Sequence, residues 1–298
     1  MLLRLLEIIL PVLVCAALGY GWSRSGRPFD TKMVTGLVTN IGTPCLIVAT
    51  LTGLKLQGSE FWTMVLAACL SIPIFFAIAF AVTRAIGDSF STYGPSLGFA
   101  NAGNLGLPLC MFAFGEPGLA LGIAYFTVGA IGQFTVGQFI SAGRFSMRMI
   151  VRSPVIYATA FALALNGLDL SMPKALHNAF QLLGGMAIPL MLITLGVSLA
   201  SLRVADFGKS LFYAVVRIVI GVAIGIGLGI ALDLSPVARG VLLIQCAMPA
   251  AVFNYLWAAY YERSPEAVAG LVFVSTVLAF LVLPLIVAVA LNPAMLPW

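Results

Sequence analysis

Asn101-Ala-Gly-Asn-Leu-Gly-Leu-Pro108 and Gln245-Cys-Ala-Met-Pro249 are the two stretches that decide how this chain is read. Each sets a proline and side-chain amides inside an otherwise apolar run. Each follows an earlier proline, Pro95 or Pro236, and thirteen residues separate Pro95 from Pro108 and Pro236 from Pro249 alike. Proline removes a backbone donor and clashes with the preceding turn. Both runs therefore read as helices that stop before Pro108 or Pro249 and restart there, since proline suits the first helical position. Two further runs carry a mid-span proline, Thr43-Pro44-Cys-Leu and Ile188-Pro189-Leu-Met.

Composition supplies the setting. Of 298 residues, 61% are hydrophobic and 8% charged, and the mean hydropathy is +1.10. A water-soluble domain carries about a quarter charged residues, so most of this surface faces lipid. The net charge of +5 does not point to nucleic acid, because the basic residues sit between apolar runs. The five cysteines lie inside apolar runs without metal-ligand spacing and read as small hydrophobes. No cofactor or metal site is implied.

Segments of about 17–25 apolar residues span a bilayer, and ten fit: Leu2–Trp22, Met33–Leu54, Phe61–Thr83, Tyr93–Phe114, Gly118–Ile140, Val151–Leu168, Lys174–Leu199, Phe207–Leu232, Pro236–Tyr260 and Glu266–Leu291. The first resembles a signal peptide, but Glu7 interrupts it and no cleavage site is clear, so it reads as a span. The loops after spans one, three, five, seven and nine hold ten basic residues: Arg24, Arg27, Lys32, Arg84, Arg144, Arg148, Arg152, Arg203, Lys209 and Arg263. The other side holds four: Arg4, Lys55, Lys174 and Arg239. Basic loops are cytoplasmic, which puts both termini outside a cell (inner) membrane. The fold class expected is an all-α polytopic membrane protein. Residues 1–142 form one five-span repeat, 143–152 a cytoplasmic joint, and 153–298 a second repeat of inverted orientation. Inverted repeats with broken helices are the signature of a secondary carrier.

A broken helix leaves free carbonyls on one half and free N–H groups on the other. Such groups are tolerated where they line a cavity, and a half-helix N-terminus attracts anions. Asn101, Asn104, Gly106 and Pro108 are the first-half candidates for substrate binding; Gln245, Pro249 and Asn254 are those of the second half. At five residues past Pro249, Asn254 is placed to turn away from the crossing. Gln133, in span five with Gln138, either reaches the site or packs helices. His177 reads as interfacial. Arg217, deep in span eight, either snorkels to the interface or pairs with an anion as a charge partner.

The Asn101–Pro108 stretch resembles the crossover motif of the auxin efflux carrier family, which includes the plant PIN exporters. Ala187-Ile-Pro189-Leu and Ala247-Met-Pro249 extend the likeness over nearly the whole chain. The resemblance implies a fold like that of bile-acid symporters and NhaA-type antiporters. Spans one, two, six and seven would be the scaffold, and spans three to five and eight to ten a moving, elevator-type transport domain. It also implies that Asn101 contacts substrate and that Pro108 and Pro249 are the crossover prolines. The short central loop departs from the long plant PINs and puts their loop phosphorylation in doubt. Relatives outside plants are linked to small carboxylates such as malate or malonate, so auxin is not implied.

All ten carboxylates lie near span ends or in loops, whereas proton carriers place them at mid-membrane. A neutral amide site suits a cargo that brings its own negative charge. Membrane potential then favours its export by about 2.3 kcal/mol per charge per 100 mV. The expected function is a secondary transporter of small organic anions. The alternatives are a sodium-coupled symporter of the bile-acid type, an anion channel, and a receptor without turnover. An enzyme is not expected, since no His-Glu-x-x-His helix, aspartyl pair or Ser–Lys dyad is visible. The coupling ion (sodium or proton), a homodimeric assembly and the substrate's identity stay open.

Overall fold

A computed structural model describes residues 2–53, 58–142, 154–168 and 170–292. Lys55, Arg144, Arg148, Arg152, Asp169 and the joint 143–152 lie outside the described residues, and the side chains of Arg4 and Gln138 outside the described side chains. The described elements are helical, because a backbone in hydrocarbon must satisfy its own polar groups. Helix α1 is Leu2–Arg24, and α2 (Thr31–Leu37) continues through a π turn, Val38–Gly42, into α3 (Thr43–Gly53). Next come α4 (Gly58–Ile86), α5 (Phe90–Gly98), a π turn at Ala102–Gly106 and α6 (Leu107–Gly132). A third π turn, Gln133–Gly137, leads into α7 (Gln138–Ala142). The second half holds α8 (Pro154–Gly167), α9 (Lys174–Gly185), α10 (Ala187–Ser201), α11 (Phe207–Ala231), α12 (Pro236–Ala247), α13 (Val252–Tyr260) and α14 (Pro265–Leu291).

Seven helical stretches among the described residues are long and apolar enough to cross a membrane. One of them, Ala102–Ser141, contains a corner at Gly115, whose φ of 66° and ψ of −155° suit glycine alone among the common residues. The expected spans four and five meet at that corner. The expected spans six and nine correspond to the shorter apolar helices Pro154–Gly167 and Pro236–Ala247, the latter followed by α13.

The prolines act differently from the sequence expectation at both breaks: the second interrupted helix stops before Pro249 as expected but restarts three residues beyond it. α12 does end at Ala247, next to Pro249, and α13 begins at Val252. The first break, however, falls at Phe99–Asn101, more than a turn before Pro108, and Pro108 is the second residue of α6. Lacking an N–H, Pro108 cannot donate to the Asn104 carbonyl, and the preceding ladder slips to wider bonds: Gly106 N–H to Asn101 O at 3.1 Å, and Leu107 N–H to Ala102 O. The same Asn-x-Gly-x-Pro pattern at Asn40–Pro44 makes the same π turn, with Thr43 N–H donating to Val38 O. The equal thirteen-residue offsets therefore do not mark equivalent points: Pro95 lies within α5, whereas Pro236 opens α12.

Two groups of helices pack internally. α1 lies along α10, and α3 against α8 and α9. In the other group α11 packs on α12, α14 and α4, while α6 packs on α4 and α12. The α1–α10 contact is as close as backbones allow: a Cβ added at Gly196 would collide with the Ala16 carbonyl, and one at Gly19 with that of Ile193. Small residues of this kind let membrane helices approach closely. Outside the spans, Asp88 in the α4–α5 loop is clamped to the start of α11 by Lys209 Nζ at 2.6 Å and by the Tyr213 hydroxyl at 3.0 Å. The Lys209 ammonium holds the Asp88 carboxyl below the ordinary carboxylate range, against a smaller upward push from burial, and Tyr213 adds to the lowering.

Gly196→Ala is expected to force α1 and α10 apart and cost about 1–3 kcal/mol, seen as a lower Tm in detergent. A depressed folded-state pKa means that Asp88 stabilises above its unfolded pKa, and that this contribution is lost as pH falls through the folded one. Asp88→Asn should therefore lower Tm modestly at pH 7. The difference from wild type should narrow on acidification below about pH 4, where the unfolded carboxyl takes up its proton, and close as pH falls through the lower folded-state pKa.

Candidate substrate site at the helix crossing

The two interrupted helices cross where they break. Ala100 and Ala250 form an antiparallel bridge, with Asn101 N–H donating to Pro249 O at 2.7 Å and Ala251 N–H to Phe99 O at 3.2 Å. Ser275 of α14 accepts the Ala250 N–H at 3.2 Å. Each break thus answers the unmet backbone groups of the other.

Side chains reinforce the crossing. Asn254 Nδ2 donates to the Phe99 carbonyl at 3.2 Å, and Gln133 Nε2 donates to Asn254 Oδ1 at 3.1 Å. Asn254 therefore turns toward the crossing, contrary to the expectation from its spacing, because the extended Ala251 delays the start of α13. The Phe99 ring, within a few ångströms of Gly132 and Gly137, packs edge-on against Phe76 at 5.1 Å.

Beside the crossing lies a cavity of about 380 Å³, within the size range of small-molecule sites. Asn101, Asn104 and Gln133 line it from the broken-helix side, together with Tyr125. Thr31 and Thr35 of α2 and Thr194 and Ser198 of α10 line it from the other group. Among the described residues, no charged side chain is in the lining. Two buried polar atoms of lining residues have no hydrogen-bond partner, Asn101 Nδ2 and Thr194 Oγ1, on residues 4% and 8% exposed. One is an obligate donor and the other a hydroxyl that donates or accepts.

The remaining sequence candidates stand elsewhere. Gln245 is fully buried outside the lining, donating to Gly122 O at 3.4 Å. Its side chain fills the space a Cβ on Gly106 would need, so Gly106 serves this helix contact. Pro108 and Pro249 shape the backbone without lining the cavity. Arg217 is wholly buried, which rules out snorkelling, and it is absent from the lining. Thr194, Ser198, Thr31 and Thr35 were missed from sequence. The signal for the first two was present: Thr194, Ser198 and Ser201 recur at helical spacing along one face of an apolar helix. Among the described residues no group of His, Cys, Asp and Glu side chains could hold a metal ion.

These features define a polytopic helical membrane protein with a mostly apolar cavity that carries a few amides and hydroxyls and, among the described residues, no charge, where two interrupted helices cross. The chain belongs to the membrane transport protein family (Mem_trans), whose model matches residues 5–144 and 138–287, and the resemblance read from Asn101–Pro108 is borne out at that level. It is similar to an uncharacterized transporter of Methanothermobacter thermautotrophicus, 28% identical over 94% of this chain and 96% of that protein. It is also similar to one of Methanocaldococcus jannaschii, 23% identical over 96% of this chain and 99% of that protein.

Asn254→Leu should leave the Phe99 carbonyl with one partner fewer and Gln133 without its acceptor. The expected loss is about 1–3 kcal/mol, read as a Tm drop in detergent. An unchanged Tm would mean that these bonds do not support the crossing.

Proposed function

We propose that this membrane transport protein is a secondary carrier of small organic anions, with the substrate held at the crossing of the two interrupted helices. The carrying observation is the cavity of about 380 Å³, with its unpartnered Asn101 amide and Thr194 hydroxyl and no charged lining residue. A neutral polar site beside two half-helix starts, at Ala102 and Val252, favours a ligand that brings negative charge.

The wider architecture belongs to the same proposal. Ten spans form two inverted repeats, residues 1–142 and 153–298, joined at 143–152, with both termini outside the cell membrane. Spans one, two, six and seven act as scaffold, and spans three to five and eight to ten move as an elevator. The packing of α1 on α10 and of α3 on α8 and α9 is denser than the contacts that α1 and α3 make with α6, which supports that division. The cavity meets Thr31 and Ser201, next to the basic Lys32 and Arg203. With basic loops cytoplasmic, it opens inward. The proposal leaves the choice between sodium and proton coupling, and a homodimeric assembly, to experiment.

In proteoliposomes given labelled mono- and dicarboxylates under imposed sodium, proton and voltage gradients, the wild-type protein should show saturable uptake and counterflow. Asn101→Ala should reduce uptake at least tenfold, about 1.4 kcal/mol or more, as for a lost hydrogen bond to a charged group, while staying monodisperse. Wild-type uptake by that variant would reject the site. Unitary currents would reveal a channel, and binding without counterflow a receptor.

A further inference from the structure

Arg217, in the middle of α11, is wholly buried, and its Nε, Nη1 and Nη2 have no hydrogen-bond partner among the described residues. The Phe75 ring of α4 lies 4.4 Å from the guanidinium. A ring face attracts a cation but does not neutralise it. The ionisable groups that bear on Arg217 are Tyr125 of α6 and Cys246 of α12, a phenol and a thiol that are uncharged at neutral pH. Both ion pairs found among the described residues, Lys209–Asp88 and Arg239–Asp233, lie at helix ends. Arg217 is the one charged side chain among the described buried residues. Arginine keeps its proton, and a buried cation without a partner is costly.

Tyr125 connects the cavity to the surroundings of the cation: Ser71, which meets its hydroxyl, lies one helical turn from Phe75 on α4, the ring under Arg217. Tyr125 lines the cavity, and its hydroxyl meets Cys246 Sγ at 3.4 Å and Ser71 Oγ at 3.3 Å. A fixed charge behind a low-dielectric wall, next to a cavity with no charge of its own, focuses its field into that cavity. We propose that Arg217 is a specificity-determining positioning residue that acts through the Tyr125 wall as the counter-charge of the cargo, favouring a carboxylate over its neutral amide. The inference rests on the organic-anion reading and adds the source of its charge preference. The cation and the cargo then travel together in the helix group of α4, α6, α11 and α12.

The test uses three pairs of near-identical shape and different charge: acetate and acetamide, malonate and malonamide, benzoate and benzamide. Binding to the purified full chain is read by thermal stabilisation. At least one pair should bind the wild type with the anion favoured by about tenfold, the order expected of one charge acting across a protein wall. Arg217→Gln should remove the preference, Arg217→Lys should keep it, and Asn101→Ala should weaken both members of a pair alike. Cys246→Asp keeps Arg217 in its packing and supplies an internal partner. It should lower the preference as well, and it carries the test if Arg217→Gln does not fold. An anion preference that survives in Arg217→Gln or Cys246→Asp overturns the inference and leaves the carrier reading standing, as does a wild type that binds anions and amides equally. Binding of no pair by the wild type overturns the organic-anion reading and this inference with it.

Discussion

The antiparallel bridge between Ala100 and Ala250 is the contact on which the rest of the molecule depends. A helix interrupted in hydrocarbon exposes N–H and C=O groups that water cannot reach, at several kcal/mol each by order of magnitude. Neither break is tolerable alone. Brought together, Asn101 N–H finds Pro249 O and Ala251 N–H finds Phe99 O, and Ser275 takes the Ala250 N–H. This mutual satisfaction fixes the depth of the crossing and brings two half-helix starts to one place. It also explains the amides around it: Asn254 and Gln133 continue the same chain of bonds, while Asn101, which lines the cavity, keeps a buried Nδ2 with no partner among the described residues.

The membrane class, the paired interruptions and the place of Asn101 at the crossing were legible because each has a compositional signature: long apolar runs, proline inside them, amides beside the proline. The position of the first break was not. Pro108 was read as the break, yet a proline that follows Asn-x-Gly-x can be accommodated by widening one turn, as Asn40–Pro44 also does. The break itself falls at Phe99–Asn101, where no residue type announces it, and its partner is an equally anonymous alanine 150 positions away. Such pairing is set by tertiary packing, which a single sequence does not print. Asn254 was misjudged for the same reason, since helical spacing counted from Pro249 assumes a helix that begins there, whereas the extended backbone runs on to Ala251.

The helix packing separates close contacts from wet ones. Within the α1–α10 pair, glycines bring backbones into contact, and lipid offers little competing advantage to such a pair. Between that group and the crossing, the cavity's mostly apolar walls also carry hydroxyl residues, Thr31, Thr35, Thr194 and Ser198, and the amide residues Asn101 and Asn104. Groups that hydrogen-bond to a ligand or to water as readily as to one another make a poor permanent joint and a serviceable sliding surface. On the proposed elevator reading, the same residues would meet two needs, lining a site and letting its walls part.

Charge placement follows a related logic. A guanidinium inside the cavity would grip a carboxylate through short bidentate bonds, the strongest polar contact available to it, and in a site shielded from water that grip would slow release. On the proposed reading, Arg217 would act instead through its field, which has no preferred hydrogen-bond geometry and weakens with distance. The neutral donors Asn101 and Thr194 would then recognise shape, and the buried cation would set the sign. A carrier must let go of its cargo once per cycle, and separating these two tasks between the cavity surface and its backing keeps selectivity without irreversible capture.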